Sequence, residues 1–216
     1  MTLKVLGISA SPREGGNTDL LAREALRGAE SAGARPDFIA LRGLNISPCV
    51  ECYACAATGL CRIDDDYQLV FEKLLAADRL VFASPVFFMT VSAQAKLLID
   101  RCQCLWSRKY LLKQPLFPQG ERDRRALVIA VGGSRSRNMF DCVRLTMKYW
   151  FDTLEMACFG NLFVNQVDAR GDVLRHPAAM REAFRLGAAL CAADAPAPAQ
   201  PTTVELFGPA AGRAGV

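Results

Sequence analysis

The sequence predicts an α/β domain, a parallel β-sheet with helices on both faces. Two observations carry this. Short segments rich in β-branched and apolar residues alternate with longer segments of helical period, the pattern of repeated β–α units. The chain has 216 residues, 51% of them hydrophobic, so one domain can bury roughly 70% of its unfolded surface without a disulfide or a metal. Its nine cysteines therefore need another reason.

Five strands are predicted, near Leu3–Ser9, Asp37–Leu41, Arg79–Ser84, Ala126–Gly132 and Gly160–Gln166. The first helix is expected over Asn17–Gly33, where Leu21, Ala25 and Ala29 share one face and Gly33 supplies the stop. A second helix, Tyr67–Ala76, follows Asp64, Asp65 and Asp66. Three acids in a row invite a metal reading, but carboxylates before a helix ordinarily cap it and favour its positive end. The third helix, Ser92–Trp106, is expected to bury Leu98, Cys102, Leu105 and Trp106; the fourth spans Asn138–Glu155 and the fifth Pro177–Ala192. His176 has no acidic or cysteine neighbour in the sequence, which makes it a structural residue rather than a catalyst.

Two insertions interrupt the alternation. Residues 42–63 carry four cysteines, and residues 107–125 carry six Lys/Arg against two Asp/Glu. Long loops in compact domains tend to be functional. Eight of the ten residues from Ala192 to Pro201 are Ala or Pro, so the domain is expected to occupy residues 1–192, with 193–216 as a tail. Val204, Leu206 and Phe207 interrupt that tail and give it the means to dock on this subunit or a neighbour.

A net charge of +4 without a Lys/Arg block is no footprint for nucleic acid. The longest uncharged stretch, Leu80–Ala95, is 16 residues long and broken by Pro85, short of the span of about 20 that a membrane helix needs. The apolar run Val5–Ile8 is bounded by Lys4 and the Ser-Pro-Arg-Glu of residues 11–14, which is no secretory signal. The expectation is a soluble cytoplasmic protein with reduced thiols, bound to neither membrane nor nucleic acid.

Between the first strand and first helix runs Ser9-Ala10-Ser11-Pro12-Arg13-Glu14-Gly15-Gly16-Asn17-Thr18. Such a turn offers backbone N–H groups and the positive helix end to an anion. Ser9, Ser11, Asn17 and Thr18 add neutral donors, Arg13 a charge, and Gly15 and Gly16 close backbone approach. An ordinary polar turn with an Asn or Thr cap is the plainer alternative. Neither G-x-G-x-x-G nor G-x4-G-K-[ST] occurs here.

This Ser-x-Arg-x-x-Gly-Asn-Thr run resembles the FMN phosphate loop of the NADPH-dependent FMN reductase and iron–sulfur flavoprotein superfamily. Ser84-Pro85-Val86-Phe87-Phe88-Met89, followed by Ser92, Lys96 and Asp100-Arg101, resembles that family's flavin-ring loop and the helix behind it. Gly132-Gly133-Ser134 falls where the family has a third flavin loop. The resemblance implies a flavodoxin-like, doubly wound, five-stranded sheet of order 2-1-3-4-5. It also implies an FMN site built from Ser9, Ser11, Arg13, Gly16, Asn17, Thr18, Pro85, Val86, Phe87, Phe88, Met89, Gly132 and Gly133. In an open doubly wound sheet the ligand lies beyond the carboxyl ends of the strands, where these loops converge. Taken alone, Phe87, Phe88 and Met89 are equally compatible with core packing, and Lys96 and Asp100 with an i, i+4 surface pair.

Cys49-x2-Cys52-x2-Cys55-x5-Cys61 places four thiols within 13 residues. Four adjacent thiolates repel one another unless a cation compensates them, and iron–sulfur clusters and zinc both do so. Successive x2 intervals resemble the compact ferredoxin run more than paired zinc knuckles, so a [4Fe–4S] cluster is favoured over zinc or an empty cysteine loop. Cys102, Cys104, Cys142, Cys158 and Cys191 are expected to be packing residues. The quartet is similar to that of the iron–sulfur flavoproteins, which implies a homo-oligomer receiving electrons from ferredoxin or a similar carrier. The function expected is electron transfer through the cluster to FMN and on to an acceptor, with no catalytic acid or nucleophile. An NAD(P)H-dependent FMN or quinone reductase without a cluster, and a zinc-stabilised flavodoxin-like binding module, are the alternatives.

Overall fold

A computed structural model describes residues 2–117, 122–136, 138–192 and 199–207. β1 (Lys4–Ser9) leads into α1 (Asn17–Ser31), β2 (Arg35–Ala40), the short α2 (Ala54–Thr58) and α3 (Tyr67–Ala76). β3 (Arg79–Phe87) and β4 (Thr90–Val91) precede α4 (Ala93–Arg101), α5 (Gln103–Trp106) and a π-helical turn at Ser107–Leu111. β5 (Arg125–Val131), α6 (Asp141–Thr153), β6 (Ala157–Asn165), α7 (Ala179–Leu190) and β7 (Thr202–Phe207) follow.

The strands lie in the order β2-β1-β3-β5-β6-β7, with β4 paired antiparallel to β3 and the other pairings parallel. For the five expected strands this is the predicted 2-1-3-4-5 arrangement. Strand alternation sorts the core into two layers. Leu80 and Phe82 join Ala126, Val128 and Ala130 beneath α3, α4 and α6, while Val81 and Ala83 join Leu127 and Ile129 beneath α1 and α7. All seven residues of β5 are buried, as a strand covered on both faces requires.

The expected count of five strands is corrected by the short β4, which folds back on β3, and by β7, which continues the sheet beyond β6. Val204 and Leu206 pack on the α1/α7 layer, Asn161 Nδ2 donates to Thr203 Oγ1 at 3.1 Å, and Arg144 pairs with Glu205. The chain between α7 and β7 is rich in Ala and Pro, and the strand itself is a half-exposed edge, so its apolar signal is weak. The rest of the expected tail, residues 193–198 and 208–216, lies outside the described residues. His176 is structural: its Nδ1 accepts from the Ala178 and Ala179 N–H groups at 3.2 and 3.1 Å, and its Nε2 bonds the Phe207 carbonyl at 3.1 Å. The imidazole caps α7 and ties down the end of β7.

The expected third helix is interrupted at Cys102 (φ −70°, ψ 3°), and Trp106 is 39% exposed rather than buried, because the chain turns toward the cysteine loop there. Lys96 and Asp100 form the expected exposed i, i+4 pair at 2.8 Å. At the opposite end of the sheet, buried arginines satisfy carbonyls at helix C-termini. Arg124 donates to the carbonyls of Leu74, Ala77 and Leu154, and Arg79 to that of Leu190. Burial draws the Arg124 guanidinium down to about 10.

Helices α1 and α7 touch backbone to backbone through Gly28 and Gly187. A Cβ at Gly28 would overlap the Phe184 carbonyl, and one at Gly187 the Ala25 carbonyl. Gly187→Ala must wedge the helices apart, because the overlapping atom is backbone and cannot rotate away. Denaturant unfolding should show a loss of at least about 1–3 kcal/mol, the ordinary cost of overpacking.

Candidate functional site

Loops at the carboxyl ends of four strands converge on one small cleft of about 70 Å3. Its lining includes ten of the thirteen residues expected to bind FMN: Ser11, Arg13, Gly16, Asn17, Thr18, Pro85, Val86, Phe87, Gly132 and Gly133. The enclosed space suits a phosphate-sized group; a ring system would extend onto the open surface beside it. The N-cap of α1 is Gly16, which brings no side-chain acceptor to the first helical turn, so the Asn or Thr cap of the plainer alternative is absent. Asn17 and Thr18 begin that turn at the cleft wall, with their backbone N–H groups available to an anion.

Three expected donors are used within the protein: the Ser11 hydroxyl donates to the Arg13 carbonyl at 3.0 Å, and Ser9 and Asn17 are engaged as well. Ser9 is buried and donates to Asp19 Oδ1, while Asp19 Oδ2 accepts from Gly15 N at 3.0 Å and pairs with Arg42 at 2.8 Å. The Asn17 amide bridges to the loop after β6, donating to the Ala169 carbonyl at 2.9 Å and accepting from Val173 N at 3.2 Å. Ser9 and Asn17 thus shape the turn, and the side chain that braces it from beneath is Asp19. The sequence reading also missed the loop after β6, which adds Val167, Asp168 and Arg170 to the cleft. Arg13 reaches it through a 3.2 Å bond to the Asp168 carbonyl, and Arg170 lies against Gly15. Its signal was only a charged turn after a strand.

Phe88 and Met89 stand outside the cleft at the tip of the β3–β4 hairpin, with Phe88 fully exposed. Both are left-handed, with φ of 48° and 66°. A two-residue hairpin loop of this kind ordinarily takes Asn-Gly, because a side chain at positive φ is strained. The hairpin base is firmly tied. Ser92 N donates to Ser84 Oγ at 3.0 Å, and Ser92 Oγ donates to the Ala10 carbonyl at 2.8 Å while capping α4. Met89→Gly should raise stability by about 1 kcal/mol through relief of that strain. Thermal unfolding checks this.

Cys49, Cys52, Cys55 and Cys61 line a separate, half-open cavity of about 590 Å3, walled by α4, α5, the π-helical turn and α6. The cleft and the cavity share no lining residue. Among the described residues no three His, Cys, Asp or Glu side chains gather closely enough to hold a metal ion. The four thiols share a cavity rather than a point. Cys55 Sγ lies 3.4 Å from Ser107 Oγ.

The ends of the cysteine segment are clasped by Arg101, whose side chain is wholly buried. Its guanidinium pairs with Asp65 at 2.7 Å and donates to the carbonyls of Ser47 (3.0 Å) and Ile63 (2.9 Å). Asp65 also accepts from Ser47 N and, at the start of α3, from Tyr67 N; the expected capping is met only there, because the N-cap residue Asp66 makes no side-chain cap and accepts from Asn45 N instead. Arg101 Nε is buried with no acceptor among the described residues. Burial opposes the Arg101 charge, yet Asp65 and the adjacent Cys61 thiol hold it above its ordinary value.

Cys102 and Cys104 form the floor of the cavity. Burial pushes Cys102 up to about 12 and raises Cys104, and the Tyr67 hydroxyl lies 3.3 Å from Cys104 Sγ. These two remain protonated packing thiols, as does the buried Cys191; Cys158 is half-buried, while Cys142, expected to pack, is exposed on α6.

Burial opposes ionisation of Asp65, but Arg101 and the two N–H donors outweigh it and hold the carboxyl below its ordinary value. The pair therefore stabilises the fold above the unfolded carboxylate value of about 3.9, and that contribution is lost as pH falls through the lower folded value. Asp65→Asn should cost about 3–5 kcal/mol at pH 7, since it leaves Arg101 buried and unpaired. Urea midpoints of the two proteins should differ at neutral pH and converge as the pH falls through the folded Asp65 value.

The chain matches the NADPH-dependent FMN reductase family over residues 3–167. It is 45% identical over 103 residues to an iron–sulfur flavoprotein of Methanocaldococcus jannaschii, a match covering 48% of this chain and 53% of that protein. The chain thus spans about half of that relative's length. A Bacillus subtilis protein named as an NAD(P)H-dependent FMN-containing oxidoreductase is 31% identical over 187 residues, covering 85% of this chain and 96% of the relative. A flavodoxin, WrbA-like protein from Agrobacterium tumefaciens superposes with a TM-score of 0.56 at 14% identity, over 88% of this chain and 96% of that one, which assigns the flavodoxin-like fold. Taken with the four-loop cleft, these matches show that the chain belongs to the NADPH-dependent FMN reductase family.

Proposed function

We propose that this chain is an FMN-dependent oxidoreductase in which Cys49, Cys52, Cys55 and Cys61 hold a [4Fe–4S] cluster. The observation that carries the proposal is the single cavity shared by all four thiols, with an unpartnered, buried Arg101 Nε at its wall. Zinc needs four sulfurs within about 2.3 Å of one centre, whereas a cubane presents four separated irons to ligands spread around it. The name of the Methanocaldococcus jannaschii relative supports the same reading.

The N–H groups at the start of α1, with Arg13 and Arg170, suit the phosphate of FMN. Ser9, Asn17 and Asp19 keep those donors in position. The backbone at Pro85–Phe87 and the exposed apolar side chains of Phe87, Phe88 and Met89 suit the ring. FMN takes up one or two electrons and an iron–sulfur cluster one at a time, so a protein holding both joins a single-electron carrier to a two-electron acceptor. Ferredoxin or a similar small carrier is the proposed donor. The separation of cavity from cleft favours transfer between subunits of a homo-oligomer. Among the described residues no helix is long and apolar enough to cross a membrane, and free thiols suit a reducing cytoplasm.

An NAD(P)H-dependent FMN reductase without a cluster is the second reading, favoured by the name of the Bacillus subtilis relative. Protein purified without oxygen and assayed for iron, sulfide, zinc and flavin separates the two. Four irons with FMN support the first; FMN without iron supports the second, and zinc without flavin sinks both. Arg13→Ala should weaken FMN binding by about 1–3 kcal/mol. Cys52→Ala should lose or convert the cluster, retain FMN, and no longer accept electrons from ferredoxin.

A further inference from the structure

Ser107 and Arg101 each present a donor to the cysteine cavity. Ser107, at the start of the π-helical turn, is 2% exposed, and its hydroxyl lies 3.4 Å from Cys55 Sγ. A thiolate cannot donate, so once Cys55 is a ligand the serine must. Arg101 spends its terminal nitrogens on Asp65, Ser47 and Ile63, and the fork they form fixes the direction of Nε. That remaining N–H is buried and without an acceptor among the described residues, beside Cys61. A native fold seldom leaves a buried charged-group donor unused. A sulfur within the cavity supplies the missing acceptor. Cys49 and Cys52 are exposed and have no side-chain hydrogen-bond partner among the described residues.

We propose that Ser107 and Arg101 set the reduction potential of the cluster held by the four cysteines, by donating hydrogen bonds to its half-buried Cys55–Cys61 side. This rests on the cluster assignment above. Reduction adds negative charge, and donors aimed at the sulfurs stabilise the reduced state and raise the potential. Both residues act through the ligands and are positioning residues.

The test uses full-length protein reconstituted without oxygen, with iron and sulfide counted and the one-electron midpoint read by EPR-monitored titration. Ser107→Ala should keep wild-type iron and FMN, while its reduction equilibrium shifts about tenfold toward the oxidised form, about 59 mV for one electron. Ser107→Thr retains the hydroxyl and should restore the wild-type midpoint. Arg101→Lys keeps the charge near Asp65, removes the aimed Nε, and should lower the midpoint as well. Should Arg101→Lys fail to fold, Ser107→Ala decides. A loaded Ser107→Ala protein with the wild-type midpoint overturns this inference and leaves the cluster assignment standing. Wild-type protein that holds no iron overturns both.

Discussion

The buried pair of Arg101 and Asp65 determines whether the cysteine loop has a shape at all. A segment of that length bearing four thiols has little apolar surface of its own to bury, so its geometry must be imposed at its ends. Arg101 does this by holding the Ser47 and Ile63 carbonyls on either side of the cysteines while Asp65 neutralises it. A buried ion pair is weak evidence for net stability, because desolvation offsets much of the Coulomb attraction. Its value here is directional. A planar guanidinium with two nitrogens committed leaves its third pointing one way, which an apolar replacement of equal volume could not do.

The same chemistry recurs at the far end of the sheet with a different result. Arg79 and Arg124 cap the carbonyl ends of helices, where each donor finds an oxygen. Each guanidinium nitrogen of these two has an oxygen partner, which ties the helices they cap to the end of the sheet. Close contact of α1 and α7 through Gly28 and Gly187 adds a second rigid constraint on the helix that begins at the cleft. Rigid placement of α1 matters because an anion site made of backbone N–H groups is only as well aimed as the helix that carries it.

The alternation of strands and helices was legible in the sequence, because period and turn chemistry are local properties, whereas the order of the five principal strands and the convergence of loops were implied only by the family resemblance. The roles of individual polar residues were not legible. Ser9 and Asn17 look like ligand donors in a string of letters, yet the fold brings Asp19 beneath one and the 169–173 turn beside the other. Arg170 and Asp168 reach the turn after β1 from more than 150 residues away in the chain. Arg101 was visible only as part of a resemblance, since nothing in its neighbours announces that it will be buried. β7 escaped for another reason. An edge strand needs only one apolar face, and three apolar residues after an Ala/Pro run make a faint signal.

The two candidate sites differ in how they are built, and the difference bears on how they work together. At the cleft the backbone donors are braced from below, whereas the hairpin tip carries a fully exposed Phe88 in a strained left-handed conformation. A side chain that is both strained and solvated costs stability on two counts, and nothing within this chain covers it among the described residues. At the cavity the inner thiols have aimed donors and the outer pair, Cys49 and Cys52, faces solvent. Each site is therefore fixed on its inner side and open on its outer side. On the cluster and FMN reading proposed above, an electron route joining them would run through those outer faces, since the two sites share no lining residue.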